Sequence, residues 1–449
     1  MITAYILFPV LFFFISVKLS KKDFLFAVLF LFVLSITLNI ILFKLIPSIA
    51  FASGTFINVS IIYLFIYYLF TNTKEMLGGK YLYIYIGSIL ILFSYLYLLS
   101  IFWGYEVWDY LNFVRNYFFN ILLLIIFFST RDKRAVNTNL LLKIIIILTL
   151  IEVFLGLAQY LNRSIADYFK ITSYYRFGEV VERLDFVFRN QKLVTGTLLS
   201  MGNYSYFVVD TVLLLFALKY FKIFNFSKNI YYLLFLSLIV VVFAGIKAPL
   251  FAFIVGVFLI LWYKEKKYAI IIGIAFYFLF FFYLSVVQPL LQYSISAKGG
   301  ASLIENPLDR IIGLFAISDS YYLQQTTFGR TMFLAEDSFN NLLIGSGVGV
   351  IFTEYSFTDA YLMVIVLEFG VIGLLLLLFP YIYTLWLLKK KTPLQIYKIG
   401  KLLFVTILIQ TIVDQGLWAW FTNIQFILFI MILFRLGKKN ETNIISIVK

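Results

Sequence analysis

Between Tyr81 and Ile101 the chain reads YLYIYIGSILILFSYLYLLSI, twenty-one residues without a charge. A helix needs about 20 such residues to cross a hydrocarbon core ~30 Å thick, so this stretch is read as a membrane span. Comparable runs recur along the whole chain, near 2–17, 24–44, 55–70, 110–129, 140–160, 202–221, 230–246, 248–263, 269–287, 358–388, 402–414 and 420–435. With 81–101 they make about thirteen, which predicts an all-α polytopic membrane protein of 12 to 14 transmembrane helices. The composition agrees: 63% of residues are hydrophobic, 13% are charged, and the mean hydropathy is +0.99. Values of this kind exclude an ordinary soluble domain. The first apolar run has no small-residue cleavage site after it, so it reads as a retained span and not as a removed leader.

The cations sort the connections into two sets. One set holds 24 of the 36 Lys and Arg residues, in clusters around Lys18 to Lys22, Lys74 and Lys80, Arg131 to Arg134 with Lys143, Lys219 to Lys228, Lys264 to Lys267, Lys389 to Lys401, and Arg435 to Lys449. It contains only five of the 22 acids, a surplus of 19 positive charges, and leaves the other side at −5. Basic connections stay in the cytoplasm, so thirteen spans place the N-terminus outside and the C-terminus inside. The net charge of +14 is thereby accounted for by orientation and by anionic lipid, with no soluble basic domain for nucleic acid.

Two connections on the opposite side are long: residues 162–201 and 288–357. Loops of that length are uncommon and usually functional. Short helices are expected inside the second, over Leu308–Ile317 and Met332–Leu343. The rest of the chain shows no repeat or separate soluble region and reads as one membrane domain.

Chemistry is constrained by two absences. There is no cysteine and no histidine, so thiolate or imidazole ligands, nucleophiles and bases are unavailable to this chain. No metal or other cofactor is expected, and the candidates are carboxylates, hydroxyls, Lys and Arg. Charged residues inside spans are costly and therefore informative: Arg115, Glu152, Asp210, Glu368 and Asp414. Gly345, Gly347 and Gly349 precede a span, with no strand before them and no phosphate-binding lysine after them, so a tight turn is expected there instead of a nucleotide site. Gly370 and Gly373, three apart, suit close helix packing. The tryptophans near span ends, such as Trp103, Trp108, Trp418 and Trp420, suit an interfacial belt.

Four segments between about 185 and 375 carry a family likeness. They are Arg189 to Lys192 followed by Gly196-Thr197 and Gly202-Asn203; Gly245-Ile246-Lys247-Ala248-Pro249; Gly329-Arg330 followed by the glycine run; and Thr358-Asp359-Ala360-Tyr361-Leu362 with Glu368 and Gly370. In order and placement this layout resembles the Wzy-type O-antigen and capsular polysaccharide polymerases, of the O-antigen polymerase and ligase superfamily. Many relatives, the ligases in particular, carry His-Asn where this chain has Thr358-Asp359, and a Ser-Arg pair where it has Ile246-Lys247.

The resemblance implies a glycosyltransferase in the bacterial inner membrane. It would transfer a growing glycan from undecaprenyl pyrophosphate onto the next lipid-linked repeat unit, without metal, and with a chain-length regulator as a possible partner. Such a reaction needs cations where pyrophosphate leaves and a carboxylate where the acceptor hydroxyl loses its proton. Lys247 and Arg330 are the candidate pyrophosphate cations and Asp359 the candidate base, with Arg189, Lys192, Arg115 and Tyr361 as substrate-binding residues. The other readings are a lipid-linked oligosaccharide flippase, an O-antigen ligase, and a polymerase of the shape, elongation and division type.

Overall fold

Apolar runs in lipid have no water to satisfy their backbone groups, so they close their hydrogen bonds internally as helices. The computed structural model has this architecture. It describes residues 2–46, 53–104, 107–130, 138–169, 173–176, 179–182, 194, 196–198, 201–226, 229–244, 247–282, 342–345, 361–413 and 420–447. Thirteen helices of 15 to 31 residues occur among them, one over each run marked out by the sequence. They are α1 (Ile2–Ser20), α2 (Phe24–Leu45), α3 (Ser53–Thr71), α5 (Lys80–Trp103), α6 (Val107–Ser129), α7 (Thr138–Leu161), α9 (Met201–Tyr220), α10 (Ile230–Ala244), α11 (Lys247–Lys264), α12 (Lys266–Phe282), α13 (Tyr361–Lys391), α14 (Leu394–Val413) and α15 (Trp420–Ile447). Two short helices, α4 (Thr73–Leu77) and α8 (Arg163–Phe169), lie between them. Five of the helices are long and apolar enough, taken singly, to cross a membrane. The protein is an all-α polytopic membrane protein.

The first long connection holds the one pair of strands among the described residues. Strands β1 (Ser173–Arg176) and β2 (Glu179–Glu182) pair antiparallel, with Ser173 opposite Glu182 and Arg176 opposite Glu179. The tyrosines and valines of SYYR and EVVE favour extended backbone, which is why this stretch leaves the helical pattern. Of the short helices expected in the second connection, 308–317 lies outside the described residues, as does most of 332–343. Leu342 and Leu343 belong to a turn.

Contacts divide the chain into two compact units. The first comprises Met1–Ile144, Thr331–Gly400 and Asp414–Lys449. Within it α1 packs on α2 and α3, α6 on α3, α5 and α15, and α13 on α5 and α15. α15 is buried on every side from Thr422 to Phe434, whereas α5 turns Leu90, Ile91, Tyr97, Leu98, Ile101 and Phe102 outward. An all-round apolar helix belongs in a bundle interior and an exposed apolar stripe faces lipid. Cations assigned to one side of the membrane also find partners within this unit. Arg435 Nη2 lies 3.8 Å from Asp23, which caps α2 by accepting from the Leu25 amide at 2.8 Å. Lys391 lies over the Tyr81 ring, 4.6 Å from its centroid.

The second unit comprises Ile145–Arg330 and Lys401–Val413. Its centre is α9, buried from Tyr204 to Leu218, with α10 and α11 against it and α12 against α11. α7 meets α10 through Gly156, beside Val240, and through Tyr160, stacked on Phe243 with centroids 3.8 Å apart. At one end, Lys264 donates to the Tyr220 carbonyl at 2.7 Å and sits 4.2 Å above its ring.

Candidate functional site

Each long connection contributes a turn that is hydrogen-bonded to a helix, Gly196–Leu198 from the first and 342–345 from the second. In the second unit, α7 places Glu152, Gly156 and Gln159 on one stripe, at the i, i+4, i+7 spacing of a single helix face. The end of the first connection, a 3-10 turn over Gly196–Leu198, lies against that stripe. The Thr197 amide donates to Glu152 Oε2 at 3.0 Å and its hydroxyl donates to Glu152 Oε1. Gln159 accepts from the Gly196 amide at 2.9 Å and donates to the Gly196 carbonyl at 3.2 Å. Tyr204 of α9 donates to the Glu152 carbonyl at 3.0 Å, its ring resting against Gly156 and Gly196.

No side chain fits at Gly196. Its φ is +55°, and a Cβ there would stand 2.0 Å from Glu152 Oε2 and 2.4 Å from the Tyr204 ring. Glu152 is nine residues from the end of α7 at Leu161, which at 1.5 Å per residue puts the turn about 14 Å along the helix.

The first unit repeats the device with backbone groups. α13 is broken at Gly370, whose φ of +71° and ψ of +175° fall in a region that only glycine adopts without strain. The amides of Val371 and Ile372 therefore lose the acceptors one turn earlier. They donate instead to the carbonyls of Leu342, at 2.9 Å, and Leu343, at 3.3 Å. On the other side of the break, the Tyr95 hydroxyl of α5 lies 2.8 Å from the carbonyl oxygens of both Phe369 and Ile344 and shares its proton between them. Glu368, buried completely, stands beside the break. The break at Gly370 corrects the expectation that Gly370 and Gly373 serve helix packing together. Gly373 alone does so, with a Cβ there 3.2 Å from the Tyr95 ring.

Elsewhere in the second unit, Gln410 of α14 donates to Asp210 Oδ1 at 2.9 Å in the middle of α9. Both residues are fully buried, and Asp210 Oδ2 and Gln410 Oε1 have no hydrogen-bond partner among the described residues.

Of the residues singled out by sequence, Asp359, Arg330, Arg189 and Lys192 lie outside the described residues. Arg115, Lys247 and Tyr361 are placed by their backbone alone: Arg115 is the ninth residue of α6, and Tyr361 opens α13 two positions after Asp359. Lys247 opens α11 only three residues after α10 closes at Ala244. Gln159, Tyr204 and Tyr95 escaped the sequence reading. Gln159 left one signal, its place on the stripe defined by Glu152 and Gly156.

Fold and site define a class: a polytopic helical membrane protein in which a turn of each of two long connections is hydrogen-bonded to a helix. No protein-family model, curated protein or solved structure matches the chain.

Proposed function

We propose that this protein is a membrane polysaccharide polymerase acting at the outer face of the bacterial inner membrane. In this reading the anomeric carbon of a glycan leaves undecaprenyl pyrophosphate and bonds to a hydroxyl of the next lipid-linked repeat unit. The C–O bond to pyrophosphate breaks, the bond to the acceptor oxygen forms, and the acceptor proton passes to Asp359. Lys247, Arg330, Arg189 and Arg115 neutralise the departing pyrophosphate, with Lys192 and Tyr361 on the substrate. Arg suits the phosphates because its planar fork binds two oxygens at once.

The observation that supports this reading most is the anchoring of both long connections to the helices, at Glu152 and at Gly370. A catalytic cleft at the membrane surface needs walls of fixed position, and anchored loops supply them. A lipid-linked oligosaccharide flippase is the second reading, favoured by the broken helix α13, since discontinuous helices form transporter sites. Against it, the backbone groups flanking the break are occupied by Leu342, Leu343 and Tyr95.

The deciding experiment is electrophoresis of surface polysaccharide from the native bacterium lacking this gene. A polymerase leaves single repeat units on the surface and no length ladder. Complete loss of surface glycan with no lipid-linked polymer accumulating points to the flippase, whereas accumulated lipid-linked polymer points to a ligase.

A further inference from the structure

We propose that Glu152 and Gln159 are positioning residues that latch the end of the first long connection, Gly196 and Thr197, inside the membrane bundle. The inference rests on the polymerase reading for its functional consequence, because Arg189 and Lys192 precede Gly196 by seven and four residues.

Gly196 and Leu198 are buried in the bundle about 14 Å from the end of α7, where backbone groups have little access to water. Every polar group the turn brings must therefore find a protein partner, and α7 supplies them in matched pairs. Gln159 meets the Gly196 backbone as another peptide unit would, one donor and one acceptor. Glu152 takes both donors of Thr197, one on each carboxylate oxygen. The positive φ at Gly196, and the absence of room for a Cβ, fix the turn in one register. Tyr204 holds the Glu152 backbone from the other side. An ionisable side chain in a span is expensive, and two hydrogen bonds from a single residue are the return on it here. A connection that served only as a link would have no need of this arrangement.

The chain contains no cysteine, so single introduced cysteines report on the latch without background. Leu198, in the latched turn, is 3% exposed. A Leu198→Cys protein in isolated membranes, offered a water-soluble maleimide at both faces, should label slowly. Adding Glu152→Ala should raise labelling at least tenfold, while a Leu214→Cys control in the buried centre of α9 stays unlabelled and shows that the bundle is intact. Glu152→Gln keeps an acceptor for the Thr197 amide and a group for its hydroxyl, so the thiol introduced by Leu198→Cys should remain protected.

The polysaccharide ladder should follow the latch: lost with Glu152→Ala and kept with Glu152→Gln at equal protein in the membrane. Unchanged labelling of the Leu198→Cys thiol in the Glu152→Ala background would overturn the latch. Increased labelling with a normal ladder would overturn the positioning role and leave the polymerase reading standing. Loss of the ladder in Glu152→Gln with that thiol still protected would also overturn it, because the charge itself would then be in use. A strain lacking the gene that still makes a full ladder would sink the polymerase reading while the labelling result stood on its own.

Discussion

Gly345 and Gly370 meet backbone to backbone. A Cβ on Gly345 would stand 2.4 Å from the Glu368 carbonyl oxygen, and one on Gly370 would stand 2.3 Å from that of Leu343. Neither obstacle is a flexible side chain that can swing away. Gly370→Ala adds to this clash the strain of its φ and ψ, of order 1–3 kcal/mol by itself. The variant should lose most of its folded material in a thermal-unfolding series of detergent-solubilised protein. Gly87→Ala in α5, where nothing lies within 4 Å of the new methyl, should unfold at the native temperature or slightly above.

Tyr95→Phe leaves the Phe369 and Ile344 carbonyls at the helix break without their donor. Ile344 is exposed and water can replace the hydroxyl there, but Phe369 is buried, and weakening a buried acceptor's bonding costs about 1–3 kcal/mol, which the same thermal series should register. Tyr83→Phe removes an exposed hydroxyl from the Leu77 carbonyl and should move the midpoint far less, since water replaces it.

Asp210 and Gln410 answer differently to two substitutions. Asp210→Asn keeps an oxygen for the Gln410 amide and adds an N–H that can reach Gln410 Oε1, which has no partner among the described residues. Its stability should equal or exceed that of the native protein. Asp210→Leu strands the whole Gln410 carboxamide in the bundle and should destabilise by about 1–3 kcal/mol. Equal behaviour of the two variants would remove the pair from any structural role.

The charge pattern yields a topology that cysteine labelling can check on intact cells. Lys22→Cys and Lys266→Cys, both at exposed positions among the basic connections, should react with an impermeant maleimide only after the membrane is opened. Asn162→Cys, exposed at the start of the first long connection, should react at once.

Lys247→Ala and Arg330→Ala should each raise the barrier to chain extension by about 2.7–4 kcal/mol, the loss found when one charge-stabilising donor leaves a dry site. That is a fall of two to three orders of magnitude, read as a collapsed ladder at unchanged protein level. Normal polymer from both variants would remove them from the site.

The helices were legible because lipid imposes one rule on length and polarity, and runs such as Tyr81–Ile101 obey it without competition. Gly370 was not. In sequence it stands three residues from Gly373 and reads as a packing motif, while its φ depends on a turn 25 residues upstream. Glu152 and Gly196-Thr197 each drew attention alone, one as a charge within a span and the other within a motif. Their contact joins residues 45 apart in sequence, and no local pattern announces it. The strands at Ser173–Arg176 and Glu179–Glu182 did leave a trace, β-prone residues on either side of Phe177-Gly178, overlooked in a chain dominated by helical runs.

The break in α13 bears on how the protein is made. Val371 and Ile372 take their acceptors from Leu342 and Leu343, which leave the ribosome earlier. The helix therefore inserts after its template has emerged, and its second half can complete its first turn only by finding that segment. α7 and Gly196 stand in the reverse order, the helix that bears Glu152 preceding the turn it receives. Synthesis from N- to C-terminus thus delivers one half of each anchor before the other, so neither anchor can close until its second segment has emerged.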